Sequence, residues 1–527
     1  MRRATLIILL MLCAASVMAT PPRLVVNIVV GSLREADLTR LEDNLQGGLA
    51  RLMSEGAHYT EAYYDYALTT TAAGLATITT GVEPAIHGAV GEQWWSHVDG
   101  SHVELIADHK AYPVEFSIGA ANVSPHLLAT PTLGDMLLNH NPKSKHLTIA
   151  IDDLSAIVLN GRQGVAYWAE SNNTLWTTSS AYSDKLPAWV TEYNRAKTNT
   201  FYTLTRWTPL LDITRYHNSE VAVVEGIVGK STQLLSDINL RLTDTLYGKM
   251  RYTPAGNTML IEFASSLIAH EYLGQDDATD ILNLSLDTAT YIAQTYGTES
   301  IEYEDMLYRL DSDLAEFMTY IYAQCPGAVI VLSSPHGTSP SYNPTQGAER
   351  ERLNTRQMEV IVNAFLGARY GSDNYILGYA NNALYLNHAV LHAKKLSVED
   401  IREEVATFLL QMRGVSTALS ASKLRNSTFS EGRSRLVQRS YCPTRSGDVI
   451  IDLLPGWCIE RSGIRSASDA GYNYDRHVPL IIYGPNIRAQ KIERTVSIEA
   501  VAPTIATLVG MEIPWASMTR PLIEVIK

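Results

Sequence analysis

RLVVNIVV, residues Arg23 to Val30, is a short apolar run rich in β-branched side chains, the pattern of a central strand covered on both faces of a parallel sheet. In such sheets chemistry gathers at the C-terminal strand ends, and this run ends at Gly31-Ser32-Leu33-Arg34. Similar runs recur at His146 to Ile151, Ile281 to Leu286, Ala328 to Ser333 and Pro479 to Tyr483. Helical patterns lie between them, at Leu41 to Glu55 (closing at Gly56), Thr132 to Asn139 and Tyr303 to Ala323. Strands separated by helices predict an α/β fold with a doubly wound, mainly parallel sheet flanked by helices. Two stretches read as insertions over its functional edge. The first runs from about 167 to 251 and is rich in Trp, Tyr and Thr; the second, about 373 to 440, holds a helix at Val398 to Met412 and a strand-rich layer, before Arg445 to Asp448 opens a hairpin.

The chain of 527 residues is 46% hydrophobic and 18% charged, the composition of a globular protein rather than a disordered one. Arg2 and Arg3, the apolar run Ala4 to Ala15, and Val17-Met18-Ala19 predict a secretory signal peptide over residues 1–19. Residues 20–527 then form one domain with insertions, in an extracytoplasmic setting, periplasmic or secreted. The leader is too short for a membrane span, and the bulky Leu12 before Cys13 disfavours a lipoprotein anchor. A net charge of -13 with no basic stripe argues against a duplex nucleic acid partner. Of the remaining cysteines, Cys442 and Cys458 can bridge in an oxidising compartment, leaving Cys325 as a buried thiol. No CxxC accompanies them, so they predict no zinc site.

The segment Thr69 to Gly81, TTTAAGLATITTG, reads as a helix start with hydroxyl caps and small residues that allow close packing. A hydroxyl in its first turn would face free N–H groups and the positive end of the helix dipole, where a threonine can attack or bind a phosphate. A plain cap is the structural alternative.

Ten motifs in order carry a resemblance: LVVNIVVGSLR, TTTAAGLATITTG, EPAIHGAVGEQWW, NTLWTTSSAYSDKLPAWVTEYN, YTPAGNTMLIEFA, TDILNLSLDTATYIAQTYG, VIVLSSPHG, RSGDVIIDLLPGW, YDRHVPLIIYG and SIEAVAPTIATLVGMEIP. Over nearly all of the mature chain they resemble the alkaline phosphatase superfamily, especially its phosphate-irrepressible (PafA-type) monoesterases and their nucleotide pyrophosphatase/phosphodiesterase relatives. The resemblance implies a threonine nucleophile at Thr71 and two zinc ions held by aspartates and histidines. The ligand positions, however, fall on Gly31, Thr290, Gln294, Pro335 and Ser468-Asp469, and only His336 keeps the expected residue type. The substrate-binding asparagine falls on Glu92, and the lysine and arginine fall on Asp152 and Leu154, so the sign of the pocket reverses.

Zinc needs three or four N, O or S ligands at about 2.0–2.3 Å, which these residues do not supply. Without metal, and with no base evident beside it, Thr71 lacks activation. Phosphoryl transfer needs positive charge around the equatorial oxygens, whereas Glu92 and Asp152 bring carboxylates. The expectation is a secreted pseudoenzyme with no cofactor, acting by binding a protein or glycan in the cell envelope, with Trp168, Trp176, Trp189 and Trp207 in the covering region as aromatic surface or as packing. The alternative is a phosphomonoesterase or phosphodiesterase using Thr71 and a rearranged metal site, zinc or an oxygen-liganded ion held by Glu92, Asp152, Asp153, Asp287 and His336. A small-molecule sensor using the emptied crevice is a third reading. His87 and His477 are expected to be structural.

Overall fold

In the computed structural model, residues 20–115, 121–171, 175–197, 207–218, 250–341 and 352–527 are described. The expected signal peptide and Cys13 lie outside them. The core is a nine-stranded sheet. In chain order its strands are β1 (Leu24–Val30), β2 (Ala57–Tyr59), β3 (His146–Ala150), β4 (Val165–Ala169), β5 (Trp176–Thr177), β6 (Asp280–Leu286), β7 (Val329–Ser333), β8 (Leu480–Tyr483) and β9 (Gln490–Ile492). Across the sheet the order is β9-β2-β8-β7-β1-β6-β3-β4-β5. β1 sits centrally, parallel to β6 and β7, and all seven of its residues are buried, which is why its run is apolar without alternation. Ile28, Val30 and Leu284 face one large apolar core, and Val25, Val29 and Val331 face another.

Three expectations change. Pro479 to Tyr483 does form a strand, but β8 runs antiparallel to both β7 and β2; hydrophobic pattern carries no strand direction, and the segment between β7 and β8 is not a simple crossover helix. The helix expected over Leu41 to Glu55 is two, Glu35–Leu41 and Gly48–Glu55. Between them the Asp311 carboxylate accepts from the amides of Gln46, Gly47, Leu49 and Ala50, a cap supplied from a distant helix that local pattern cannot reveal. Nor does Arg445 to Asp448 open a hairpin: it leads into Val449–Leu453, an inner strand of a four-stranded sheet with Ile376–Ala380, Ala383–Leu386 and Val415–Ser420.

Cys325, Cys442 and Cys458 are all free thiols. Cys442 is buried beside Leu68 and Val90, and Cys458 lies in a short strand paired with Arg352–Leu353. The four tryptophans of the first insertion pack inward. Trp168 and Trp176 are buried, Trp176 stacks on Phe263 at 3.9 Å, and Trp189 and Trp207 lie against the same core. Trp515, 84% exposed, is the tryptophan that faces solvent.

Candidate functional site

Thr71 opens helix α1 (Thr71–Thr80) beside the C-terminal end of the sheet. The cap is its neighbour: the Thr70 side chain accepts from Ala73 N at 3.2 Å, and Gly81 ends the helix in the left-handed conformation. The Thr71 hydroxyl is therefore free of capping duty. It lies 3.0 Å from His336 Nε2. Gly74 permits this meeting, since a Cβ there would stand 1.8 Å from the Pro335 carbonyl oxygen, so only glycine lets the helix pack onto the loop that carries His336. That loop is fixed in turn: Tyr64 donates to Ser334 O at 2.7 Å, and Ser334 Oγ donates to His336 O at 2.7 Å.

This geometry corrects one expectation, that no histidine stands beside Thr71. His336 Nδ1 is 2.7 Å from Gly337 O. A carbonyl only accepts, so Nδ1 carries the proton and the Nε2 lone pair receives the threonine hydroxyl. Burial lowers the His336 pKa below the usual histidine range, which keeps the ring neutral. Nucleophile, base and an orienting third group is the arrangement of an activated hydroxyl, although here the third group is a neutral carbonyl. The SSPHG motif flagged His336; its pairing with Thr71 is a tertiary fact.

Of the other positions where the resemblance places metal ligands, Gly31 and Thr290 meet in the fold. Gly31, which follows β1, bonds through its amide to Leu286 O at the end of β6. A Cβ on Gly31 would stand 2.2 Å from Thr290 Oγ1, so the Thr290 hydroxyl occupies the space that a side chain at residue 31 would need. Ser32 Oγ donates to that hydroxyl at 3.2 Å. Gln294, half-buried, accepts through its backbone carbonyl from Arg465 N at 2.7 Å. Ser468 O receives the Thr69 hydroxyl at 3.3 Å. Asp469 is held bidentately by Arg461 at 2.7 and 2.8 Å and accepts from Ile459 N. The carboxylate next to Ser468 is thus committed to an ion pair. Hydroxyls, an amide and a proline do not fit a two-zinc centre. Among the described residues, the His/Cys/Asp/Glu group whose donor atoms converge closely enough for an ion is a different one, His97, His388 and Asp448.

Beside the threonine crevice lies a set of carboxylates. Asp152 caps the helix Asp153–Asn160, accepting from Ser155 N at 2.8 Å. Burial, then repulsion from Asp152, pushes Asp153 up to about 6 and Asp287 well above the carboxylate range. One Asp287 oxygen accepts from Ser285 Oγ at 2.9 Å, and the other is buried without a hydrogen-bond partner. Glu92 is raised by desolvation and then by Asp152 and Asp153. Leu154 packs against the apolar core. The sign reversal is not complete, however. Arg251 stacks on Tyr291 at 5.3 Å and draws down the pKa of both Asp153 and Asp287. Nothing in its sequence surroundings marked Arg251, which sits at the end of the stretch read as cover. His87 and His477 are structural as expected: His87 bonds Thr77 Oγ1 and Ala89 N, and His477 stacks on Tyr63 and bonds Thr60 O.

Known proteins agree with this architecture. The chain is 30% identical to alkaline phosphatase PafA of Elizabethkingia meningoseptica over 98% of its own length and 97% of that protein's. It is 26% identical to alkaline phosphatase PhoV of Synechococcus elongatus, covering 96% and 93% of the two chains. The crystal structure of wild-type PafA superposes with a TM-score of 0.87 at 30% identity, covering 96% of this chain and 99% of that one. Among the described residues no helix is long and apolar enough to cross a membrane. Residues 25–473 match the type I phosphodiesterase / nucleotide pyrophosphatase family, and with that span and this fold the chain belongs to it.

Proposed function

We propose that this protein keeps the phosphoesterase scaffold but does not carry out two-metal phosphoryl transfer at Thr71, and that it acts by binding in the cell envelope. The observation that carries this reading is the Gly31–Thr290 contact, in which a threonine hydroxyl fills the space of a would-be ligand side chain. The carboxylates at Asp152, Asp153 and Glu92 add to it. Two like unit charges about 4 Å apart repel by roughly 4 kcal/mol at an effective dielectric near 20, a penalty that a phosphate dianion entering this crevice would meet more than once. Arg251 offsets only part of it. The partner is a protein or glycan outside the cytoplasm.

A second reading is a phosphomonoesterase or phosphodiesterase. The names of the relatives favour it, and so does the Thr71–His336 hydrogen bond. In that case His336 Nε2 takes the hydroxyl proton as the Thr71 oxygen bonds to phosphorus and the P–O bond to the ester oxygen breaks, that oxygen leaving with the bonding electrons; the start of helix α1 stabilises the attacking oxygen, and a metal ion in a rearranged site would stabilise the leaving one.

Calorimetric titration of the zinc-supplemented protein with orthovanadate, a mimic of the phosphoryl transition state, separates the two. No saturable binding into the millimolar range is expected. Micromolar binding that Thr71→Ala abolishes would establish the second reading instead.

A further inference from the structure

The hairpin that follows Glu92, Gln93–Trp95 with His102–Glu104, docks on the four-stranded sheet. Asn381 Nδ2 donates to Gln93 O at 2.6 Å, and the Trp95 indole lies so close over Gly378 that a Cβ there would be 2.5 Å from it. Beside this contact three residues far apart in the chain converge: His97 after the first hairpin strand, His388 at the start of the helix His388–Ala393, and Asp448 ahead of Val449–Leu453. One donor atom from each lies within 4.8 Å of the others, and the imidazoles stack at 5.3 Å.

Hydrogen bonds assign the lone pairs. His97 Nε2 is 2.8 Å from Ser446 O, so it carries the proton, and the Nδ1 lone pair faces Asp448 Oδ2 at 4.0 Å. Two acceptor atoms 4.0 Å apart leave room for a cation bound to both. Asp448 is held in place from behind: Oδ2 accepts from Leu386 N at 2.8 Å, and Oδ1 accepts from Arg402 Nε at 2.8 Å. His388 Nε2 lies 2.8 Å from Oδ1 and becomes a ligand when its proton moves to Nδ1.

We propose that His97 Nδ1, His388 Nε2 and Asp448 form a site for one divalent transition metal ion of the zinc type, apart from the Thr71 crevice. Two imidazoles and a carboxylate are a three-residue ligand set that leaves one position for water or a partner's donor atom. The Ser446 carbonyl, Leu386 amide and Arg402 guanidinium provide the outer hydrogen bonds that orient such ligands. The guanidinium also sets the choice of ion. Calcium and magnesium depend on accumulated negative charge, which Arg402 reduces, whereas zinc, nickel and copper are drawn by imidazole nitrogen. The ion would tie the hairpin that follows Glu92 to the smaller sheet, and so fix one wall of the crevice.

The test uses the whole mature protein, stripped by chelator and titrated with cobalt(II) at pH 7.5. One equivalent should bind with the intense visible bands of four-coordinate cobalt and be displaced by zinc. Affinity should fall at least tenfold in His97→Ala and in His388→Ala, and stay at the wild-type value in His336→Ala. His97→Gln, which keeps a donor for Ser446 O but has no lone pair at the Nδ1 position, should lose the ion with an unchanged circular dichroism spectrum. Absence of cobalt binding by the wild-type protein, which needs no variant, overturns the proposal. Wild-type affinity in the His97 variants, or loss of the ion on His336→Ala alone, overturns it equally.

Discussion

The close packing of Gly31 against Thr290 predicts a specific thermodynamic coupling. Gly31→Ala places a Cβ 2.2 Å from Thr290 Oγ1, with Thr290 Cβ at 3.2 Å and Asp287 Cα at 3.4 Å. The clash is with one hydroxyl, and the other contacts are tight but tolerable. Overpacking of this kind costs about 1–3 kcal/mol. Thr290→Ala alone removes the acceptor of the buried Ser32 hydroxyl, a loss of about 1 kcal/mol. In the double variant the clashing oxygen is gone, so its stability should match that of Thr290→Ala rather than the sum of the two losses. The coupling recovered is about 1–3 kcal/mol, within the range for residues in contact. Urea unfolding of the four proteins, followed by far-UV circular dichroism and compared at equal m-values, measures it. Additivity within about 0.5 kcal/mol would refute the claim that the Thr290 hydroxyl occupies the space beside Gly31.

Three further outcomes are expected. Asp153, raised from 3.8 to about 6 by burial and then by Asp152, binds its proton more tightly when folded. Its contribution to stability is present below about pH 4 and is lost as pH rises through about 6; Asp153→Asn, which can still accept from Leu154 N, should therefore exceed wild type by about 1–3 kcal/mol at pH 7.5 and converge with it at pH 4 in parallel unfolding curves. Trp176→Ala removes a buried indole stacked on Phe263 and should cost about 3–5 kcal/mol, read as a lowered urea midpoint. Because Cys325, Cys442 and Cys458 are free, thiol titration of denatured, unreduced protein spanning residues 20–527 should give the same count before and after reductant, and a lower count before reductant would place a disulfide in it.

Much of the scaffold was legible because its signals are local. The uniform burial of β1 appears in the sequence as an unbroken β-branched run, and the ends of α1 appear as Thr70 and Gly81. Thr71 stood out through motif order, and the positions where the resemblance places metal ligands stood out as residue types with little metal affinity. What the sequence could not supply were pairings across the fold. His336 is a lone histidine in a loop until Gly74 lets the helix approach it. Arg251 meets Tyr291 and the carboxylates only through tertiary placement. The helix break near Gly47 depends on a carboxylate, that of Asp311, more than 260 residues away. Strand direction in β8 and the redox state of Cys442 and Cys458 have the same origin, since neither is written in a window of neighbouring residues.

The central claim is that Thr71 lies in a retained scaffold position without two-metal chemistry. Its most direct test is the rate of aryl phosphate and aryl phosphodiester hydrolysis by purified protein spanning residues 20–527 with zinc supplied in excess, measured beside Thr71→Ala. The account predicts equal rates for the two proteins, at the level of the buffer with zinc alone. A zinc-dependent rate in the wild type that Thr71→Ala reduces a hundredfold or more would contradict it.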